Sequence, residues 1–154
     1  LLDNVYPALR HSDYKVEYTI RKYSDVEEIK RVLATAPQKL SLNELYLVAN
    51  SYESGRKEYD EVFEVAVRMY PNDKIANLNA ANSAMNKRDL DSAKEYLKRA
   101  GDSAEAVYAR AAYAALIEDY QTARKLYKQA EGMGLAQATT ALAELEIFIE
   151  KVNK

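Results

Sequence analysis

Residues 89–100 read DLDSAKEYLKRA, and the apolar positions of this segment recur along the chain at a nearly fixed spacing. The preceding copy lies 34 residues earlier and the following copy 30 residues later. In chain order, the recurring trios are Tyr59, Phe63 and Ala66; Ala93, Leu97 and Ala100; and Ala123, Tyr127 and Ala130. A helix-turn-helix unit of this length cannot bury its apolar face alone. The pattern therefore predicts a stack of helix pairs.

The chain from Leu40 onward has a helical pattern, because apolar residues return every three or four positions. Pro71 and the glycines at 101, 132 and 134 fall between these stretches and are natural helix stops. We predict helices over residues 41–52, 57–70, 73–86, 90–100, 103–117, 120–131 and 135–152. The short connections predict that neighbouring helices are antiparallel.

The recurring alanines have a physical reason. Where two helices cross closely, a side chain larger than a methyl group pushes their axes beyond the usual separation of about 8–10 Å. We expect such contacts at Ala81, Ala93, Ala100, Ala111, Ala123 and Ala130.

The stretch Asn77-Leu78-Asn79-Ala80-Ala81-Asn82-Ser83-Ala84 resembles the first helix of a tetratricopeptide repeat. In that family an aspartate and a large apolar residue open the second helix, as the pairs Asp89-Leu90 and Asp119-Tyr120 do here. The resemblance covers about residues 40–131. It implies an all-α array of antiparallel helix pairs, an α-α superhelix, closed by a capping helix with one polar face. The repeats are degenerate, because Asn77 and Val107 replace the tryptophan of the family.

The first forty residues follow a different pattern. Residues 14–21 alternate between apolar and polar, which predicts a half-buried β-strand. The sequence Ser24-Asp25-Val26-Glu27 predicts a capping box, followed by a helix from Asp25 to about Thr35. We therefore divide the chain into an N-terminal strand-plus-helix segment, residues 1–38, and a helical repeat domain, residues 39–154.

Residues 6–16, YPALRHSDYKV, resemble the closing strand of OmpA-like domains, which tetratricopeptide-type helices follow in fimbria-related outer-membrane proteins of Bacteroidetes. The resemblance implies a place in the cell envelope, either periplasmic or outer-membrane-associated; the cytoplasm is the alternative. Because the chain begins at Leu1, we expect it to be a processed part of a longer protein. Without its sheet, the strand would fold back on the helices, form a homodimer with another copy, or fray.

Composition excludes several classes of function. The 22 basic and 24 acidic side chains of the 154 residues nearly balance, which disfavours nucleic acid and anionic membranes as partners. No apolar run is long enough for direct membrane insertion. The absence of cysteine excludes disulfides and thiol nucleophiles.

No set of residues predicts catalysis, a metal site or a cofactor. His11 is the single histidine and has no convergent ligands in the pattern. The acidic pairs Glu27-Glu28 and Asp60-Glu61 fall in first turns of predicted helices, where negative charge favours the helix dipole. We therefore expect a noncatalytic protein.

A candidate binding set lies on the first helices of the predicted pairs, whose inner face forms a concave groove in tetratricopeptide proteins. Its members carry amide, aromatic or thioether side chains and are Asn50, Asn79, Asn82, Met85, Asn86 and Tyr108. Side-chain amides there can bond to a peptide backbone. The alternative is that one or two of these asparagines cap or bridge adjacent helices.

Chaperone-binding members of that family clamp a terminal carboxylate with cations on successive first helices. Asn79 and Asn82 fit the asparagine places of that clamp, but Asn43, Glu105 and Ala109 stand at the cationic ones. The clamp is therefore incomplete. The sequence predicts a noncatalytic scaffold that binds a protein or peptide segment; the alternative is a structural spacer or self-association element.

Overall fold

The computed structural model describes residues 23–153, and all of the regular secondary structure in this part of the chain is helical. A short 3-10 turn, Pro37–Lys39, joins the first two α-helices. In chain order the α-helices are α1 Val26–Thr35, α2 Leu42–Ala49, α3 Lys57–Met69, α4 Lys74–Asn86, α5 Leu90–Leu97, α6 Ala104–Leu116, α7 Tyr120–Gly132 and α8 Ala136–Val152. The predicted all-α class is confirmed for these residues.

The predicted helices are present, with ends that lie within a few residues of the predicted ones. The largest differences are at α2 and α5, which end at Ala49 and Leu97. Beyond each end the chain tightens into turns with i to i−3 hydrogen bonds, as helix termini commonly do. The predicted strand over 14–21, the segment 6–16 and His11 lie outside the described residues.

The helices α7 and α8 run antiparallel, as the contacts between them show. The ring of Tyr120 lies 5.4 Å from the ring of Phe148, and Arg124 forms an ion pair with Glu146. Residue numbers therefore fall along α8 as they rise along α7. In addition to its neighbours in the chain, α4 packs against α6. These two helices thus lie side by side.

The apolar core is a series of connected clusters rather than one central mass. The first cluster joins α1, α2, α3 and the start of α4; the second joins α4, α5 and the middle of α6. Two further clusters join α6, α7 and α8. The alanines expected at helix crossings are all buried, and Ala93 and Ala123 are 0% exposed. These positions are therefore part of the core, as close helix contacts require; Ala100 lies just beyond the end of α5.

The N-terminal helix packs onto this core. Ile29 of α1 is 0% exposed and belongs to the same cluster as Leu45 and Val48 of α2. The backbone N–H of Tyr23 donates to Glu44 Oε1 at 2.8 Å. The domain boundary at 38/39 stays a prediction, and α1, on its N-terminal side, is packed against α2.

The helix caps differ in one place from the prediction. Asp25, not Ser24, caps α1, because its side chain accepts the backbone N–H of Glu27 at 3.0 Å. A complete capping box occurs instead at α2, where Ser41 and Glu44 exchange hydrogen bonds. Aspartate was the better cap at α1 because its carboxylate can accept from the second helical residue.

The connections between helices contain several residues with positive φ. Gly101 and Gly134 have φ of 76° and 91°, as predicted for helix stops, whereas Gly132 is the last residue of α7. Arg88 and Glu118 also adopt the left-handed region, with φ of 60° and 63°. Each lies immediately before the aspartate that caps α5 or α7. The same turn is therefore used twice, 30 residues apart.

The exposed side of α8 is mixed rather than uniformly polar. Ile147, Phe148 and Val152 are 53%, 46% and 63% exposed beside charged residues such as Glu150 and Lys151. This helix therefore departs from the capping helix with one polar face that the resemblance implied.

Replacing Ala93 or Ala123 with leucine should lower the free energy of unfolding by about 1–3 kcal/mol, because three added heavy atoms have no room at a buried crossing. Urea unfolding measures the change. The matched control Ala143→Leu lies on the exposed side of α8 and should change stability by less than about 0.5 kcal/mol. Equal losses at the buried and exposed positions would contradict the crossing model.

The change Glu118→Gly should raise the free energy of unfolding by about 0.5 kcal/mol, because glycine adopts positive φ without steric cost. The same change at Glu144, in the middle of α8, should lower it by about 1 kcal/mol. Thermal and urea unfolding of both variants test this. Two changes of the same sign would show that the turn at Glu118 is unstrained.

Candidate functional site

An open groove with a volume of about 790 Å³ runs across α4, α6 and the start of α8. The α4 side chains that line it lie on one face of the helix. They are Leu78, Asn79, Asn82, Met85 and Asn86. The α6 side chains are Glu105, Tyr108, Ala109, Ala112, Ala115 and Leu116. Arg88, Tyr127, Leu135 and Gln137 complete the lining. The groove therefore exists because α4 and α6 pack side by side.

The three α4 asparagines that line the groove have different surroundings. Asn79 Oδ1 accepts a hydrogen bond from the Tyr59 hydroxyl at 3.0 Å, and its Nδ2 donates to the Ile75 carbonyl. This asparagine bridges α3 and α4, as the alternative interpretation of the sequence expected. Asn82 and Asn86 are exposed, lie one turn apart, and their side chains form no hydrogen bond with any residue between 23 and 153. Their amides thus remain available to a ligand.

The apolar lining of the groove has small side chains at its centre and larger ones at its sides. Ala109, Ala112 and Ala115 bring only methyl groups to the surface of α6, so they form a shallow floor. Met85 is 7% exposed and packs in the core beneath, which limits its contact with a ligand to a small part of the side chain. Tyr108 lies at the side, where its ring is 5.3 Å from that of Tyr127.

Few charges line the groove. Arg88 comes from the turn after α4, and Glu105 comes from the first turn of α6. Both are exposed. Glu105 stands at a place where chaperone-binding tetratricopeptide proteins carry a cation, and Ala109, at another, is buried. A terminal carboxylate would therefore meet repulsion here rather than a clamp.

The wall of the groove at Tyr127 is poorly solvated. Burial raises the pKa of the Tyr127 hydroxyl to about 12 from its usual value of 10, and the neighbouring Tyr108 and Glu144 add to the rise. The Tyr127 residue is 7% exposed, and its ring is packed against that of Tyr108. Tyr108 is only partly buried, so it presents more of its surface to a ligand than Tyr127 does.

The structure brings five of the six predicted site residues into this groove; Asn50 is the exception. It is exposed at the C-cap of α2. Tyr46, on the same helix, packs against Phe63 and donates its hydroxyl hydrogen to Asp73 Oδ1 at 2.5 Å. No residue of α2 or α3 lines the groove.

Sequence reasoning missed the contribution of α8. Leu135 and Gln137 line the groove although their helix was assigned only a capping role. The sequence did contain a signal for this contribution. If the 30-residue spacing of the repeat is applied once more, Gln137 corresponds to Val107, the neighbour of Tyr108. The last helix thus extends the same surface by one unit.

The described part of the chain contains no group of three histidine, cysteine, aspartate or glutamate side chains arranged to hold a metal ion. Among the same residues, no helix combines the length and apolar character that a membrane crossing requires.

No protein-family model and no curated protein matches the chain. What this groove does must therefore be argued from its own residues.

The change Tyr127→Phe should reduce the loss of stability at alkaline pH. A folded-state pKa raised above the unfolded value means that the stabilisation is complete below about pH 10 and is lost as pH rises through about 12. Urea unfolding at pH 8 and pH 11 measures the loss in wild type and variant. Identical losses in the two proteins would mean that the Tyr127 hydroxyl is as well solvated in the folded as in the unfolded state.

Proposed function

We propose that the chain is a tetratricopeptide-like helical scaffold whose groove holds a segment of another protein without catalysing a reaction. Three features support the architecture: the antiparallel packing of α7 against α8, the side-by-side packing of α4 and α6, and aspartate caps on both α5 and α7. A place in the cell envelope of a Bacteroidetes bacterium stays a prediction, because the segment 6–16 that suggests it lies outside the described residues.

The observation that carries the binding function is the pair of amides at Asn82 and Asn86. Each amide offers two donors and one acceptor oxygen, the complement of a peptide unit. They lie one helical turn apart on the same face, and the described residues leave both of them unbonded. The backbone or the polar side chains of an extended or helical segment in the groove can therefore form hydrogen bonds with these amides.

The floor of the groove adds selectivity. Ala112 and its neighbouring alanines leave room for an apolar side chain between Leu78 on α4 and Leu116 on α6. Burying such a side chain contributes about 1.5–3 kcal/mol, which is comparable to two or three neutral hydrogen bonds. We infer that the preferred segment carries an apolar residue flanked by polar ones, with few charges.

A second candidate function is self-association, which the exposed apolar residues of α8 favour. Ile147, Phe148 and Val152 lie at the end of the array, away from the amide pair. A stack of repeats has an apolar surface at its end unless a polar cap covers it. In this alternative, two copies of the chain would meet through α8 and the groove would have no ligand.

The binding function can be tested by selecting peptides of about twelve residues from a displayed random library on the full chain. The best peptide should bind the double variant Asn82→Ala, Tyr108→Ala at least about tenfold more weakly, because a hydrogen-bonding amide and an aromatic contact are lost. Fluorescence anisotropy measures the affinity. Ala112→Phe, which fills the floor, should also abolish binding while circular dichroism shows an intact helical fold.

The matched control is Asn72→Ala, an exposed asparagine in the turn before α4, which should leave the affinity unchanged. Peptides that bind the double variant and the wild type equally would disprove the groove as the site. Light scattering of the same samples tests the alternative. A dimer that Phe148→Ser dissociates, together with no groove-dependent peptide, would favour self-association.

A further inference from the structure

The helix α8 has two unlike faces. Its inner face, with Ala138 and Leu145 at the centre, is buried against α6 and α7. Ile147 follows Leu145 by two residues, so it points about 160° away from Leu145 around the helix axis. Ile147 is exposed and marks the centre of an outer face that no described helix covers. The exposed side chains of this outer face are Thr140, Ala143, Glu144, Ile147 and Lys151.

Apolar side chains are concentrated at the C-terminal end of the outer face and at its edge. Ile147, Phe148 and Val152 are all exposed within six residues. The ring of Phe148 lies 5.4 Å from that of Tyr120, which supports it, and yet the residue remains 46% exposed. Single exposed apolar residues are common on protein surfaces, whereas a contiguous group suits contact with another protein surface.

Two charged side chains flank Ile147. Glu144 precedes it by three residues and Lys151 follows it by four, and both are exposed. Neither side chain forms an ion pair with a residue between 23 and 153. Because the two lie seven residues apart, or about two helical turns, they are on the same side of Ile147. Each is therefore available to pair with a charge on another surface.

A second copy of α8 has the complementary surface when the two helices run antiparallel. A twofold axis between Ile147 and Phe148 places Glu144 of each copy opposite Lys151 of the other, and Val152 of each copy opposite Ala143 of the other. Symmetry thus forms the same ion pair twice. In a parallel arrangement, Glu144 would face its own copy and so would Lys151, which is unfavourable because like charges repel. The charge pattern therefore favours the antiparallel orientation.

We propose that the chain forms a symmetric dimer through antiparallel packing of α8 against α8 of a second copy, with Ile147 at the centre and Glu144 paired with Lys151 of the second copy. This assigns an orientation and a register to the self-association considered above. Each helix contributes only about ten residues to the contact, so the dimer should be weak. The helix of the second copy ends opposite Ala143, so the residues at the start of α8 that line the groove stay uncovered. The groove can therefore hold its segment in the dimer.

Sedimentation equilibrium of the full chain at about 5 µM to 500 µM tests the dimer. The average mass should rise from the 17.5 kDa of one chain towards twice that value. Ile147→Lys should weaken dimerisation at least about tenfold, because it places a charge at the centre of the contact. The matched control Leu47→Lys changes an exposed leucine of α2 and should leave dimerisation unchanged. Both positions are exposed, so both variants should keep the helical fold, which circular dichroism checks.

A chain that stays monomeric at every concentration would overturn the proposal and leave the outer face of α8 to a different protein. Equal weakening by Ile147→Lys and Leu47→Lys would also overturn it. The groove is tested separately, because Ile147→Lys should bind the selected peptide with wild-type affinity. A monomeric wild type that binds this peptide would remove the dimer and keep the function proposed for the groove.

Charge reversal tests the orientation. Glu144→Lys and Lys151→Glu should each weaken dimerisation about three- to tenfold, because two attractive contacts become repulsive, and the double variant should restore it. Since the chain contains no cysteine, single cysteines can also be introduced as reporters. In a mixture of Glu144→Cys and Lys151→Cys chains, a short bismaleimide should join one chain of each kind in preference to two of the same kind. Single reversals without effect, or cross-links mainly between chains of the same kind, would overturn the antiparallel register.

Discussion

The close approach of helices at methyl-sized side chains is the constraint on which the rest of this structure depends. Each pair brings an alanine from its second helix to a crossing that is fully inaccessible to solvent, at Ala93 and at Ala123. At such a distance the helices of one pair cannot enclose a core by themselves, and apolar residues such as Leu97 and Tyr127 must pack against the next pair. The core therefore becomes a series of clusters.

Because the pairs stack in one direction, α4 has neighbours on several sides and lacks the single apolar face of an ordinary surface helix. Its buried residues include the polar Asn77 and Ser83 among alanines. Asn77 is 0% exposed, and its Nδ2 donates to the carbonyls of Pro71 and Asp73 at 2.9 and 2.7 Å. It fixes the turn between α3 and α4. Two faces of α4 remain open, one at the groove and one at a smaller cleft between α3 and α5.

Much of this fold could be predicted from the sequence because its signals are local and repeated. The trio at Ala93 and its copies located the crossings, and proline, glycine and aspartate marked most helix ends. The turns at Arg88 and Glu118 could not be found in this way, since neither residue favours positive φ. Their conformation follows from the positions of the flanking helices, which only tertiary packing determines.

The candidate site was predictable in part for the same reason. Residues that share one helix face, such as Asn82 and Asn86, follow from helical periodicity alone. Whether a side chain forms a hydrogen bond within the protein depends on residues that are distant in the sequence. Asn79 has the same chemistry as Asn82, but Tyr59, 20 residues earlier, bonds to it. Asn50 was expected in the groove, yet α2 ends beside it and places it elsewhere.

The tyrosines show the same difference between side chains that form hydrogen bonds within the protein and side chains that do not. A ring at the edge of a small cluster has one end in the core and its hydroxyl near the surface, where it can bond across elements. Tyr46 bonds to Asp73, Tyr59 to Asn79 and Tyr70 to the Leu40 carbonyl, so these three hydroxyls join helices and turns. The Tyr108 hydroxyl bonds to no described residue although the ring is held against Tyr127. An aromatic side chain that is rigidly supported and still has an unbonded hydroxyl is better suited to contact a ligand than to stabilise the stack.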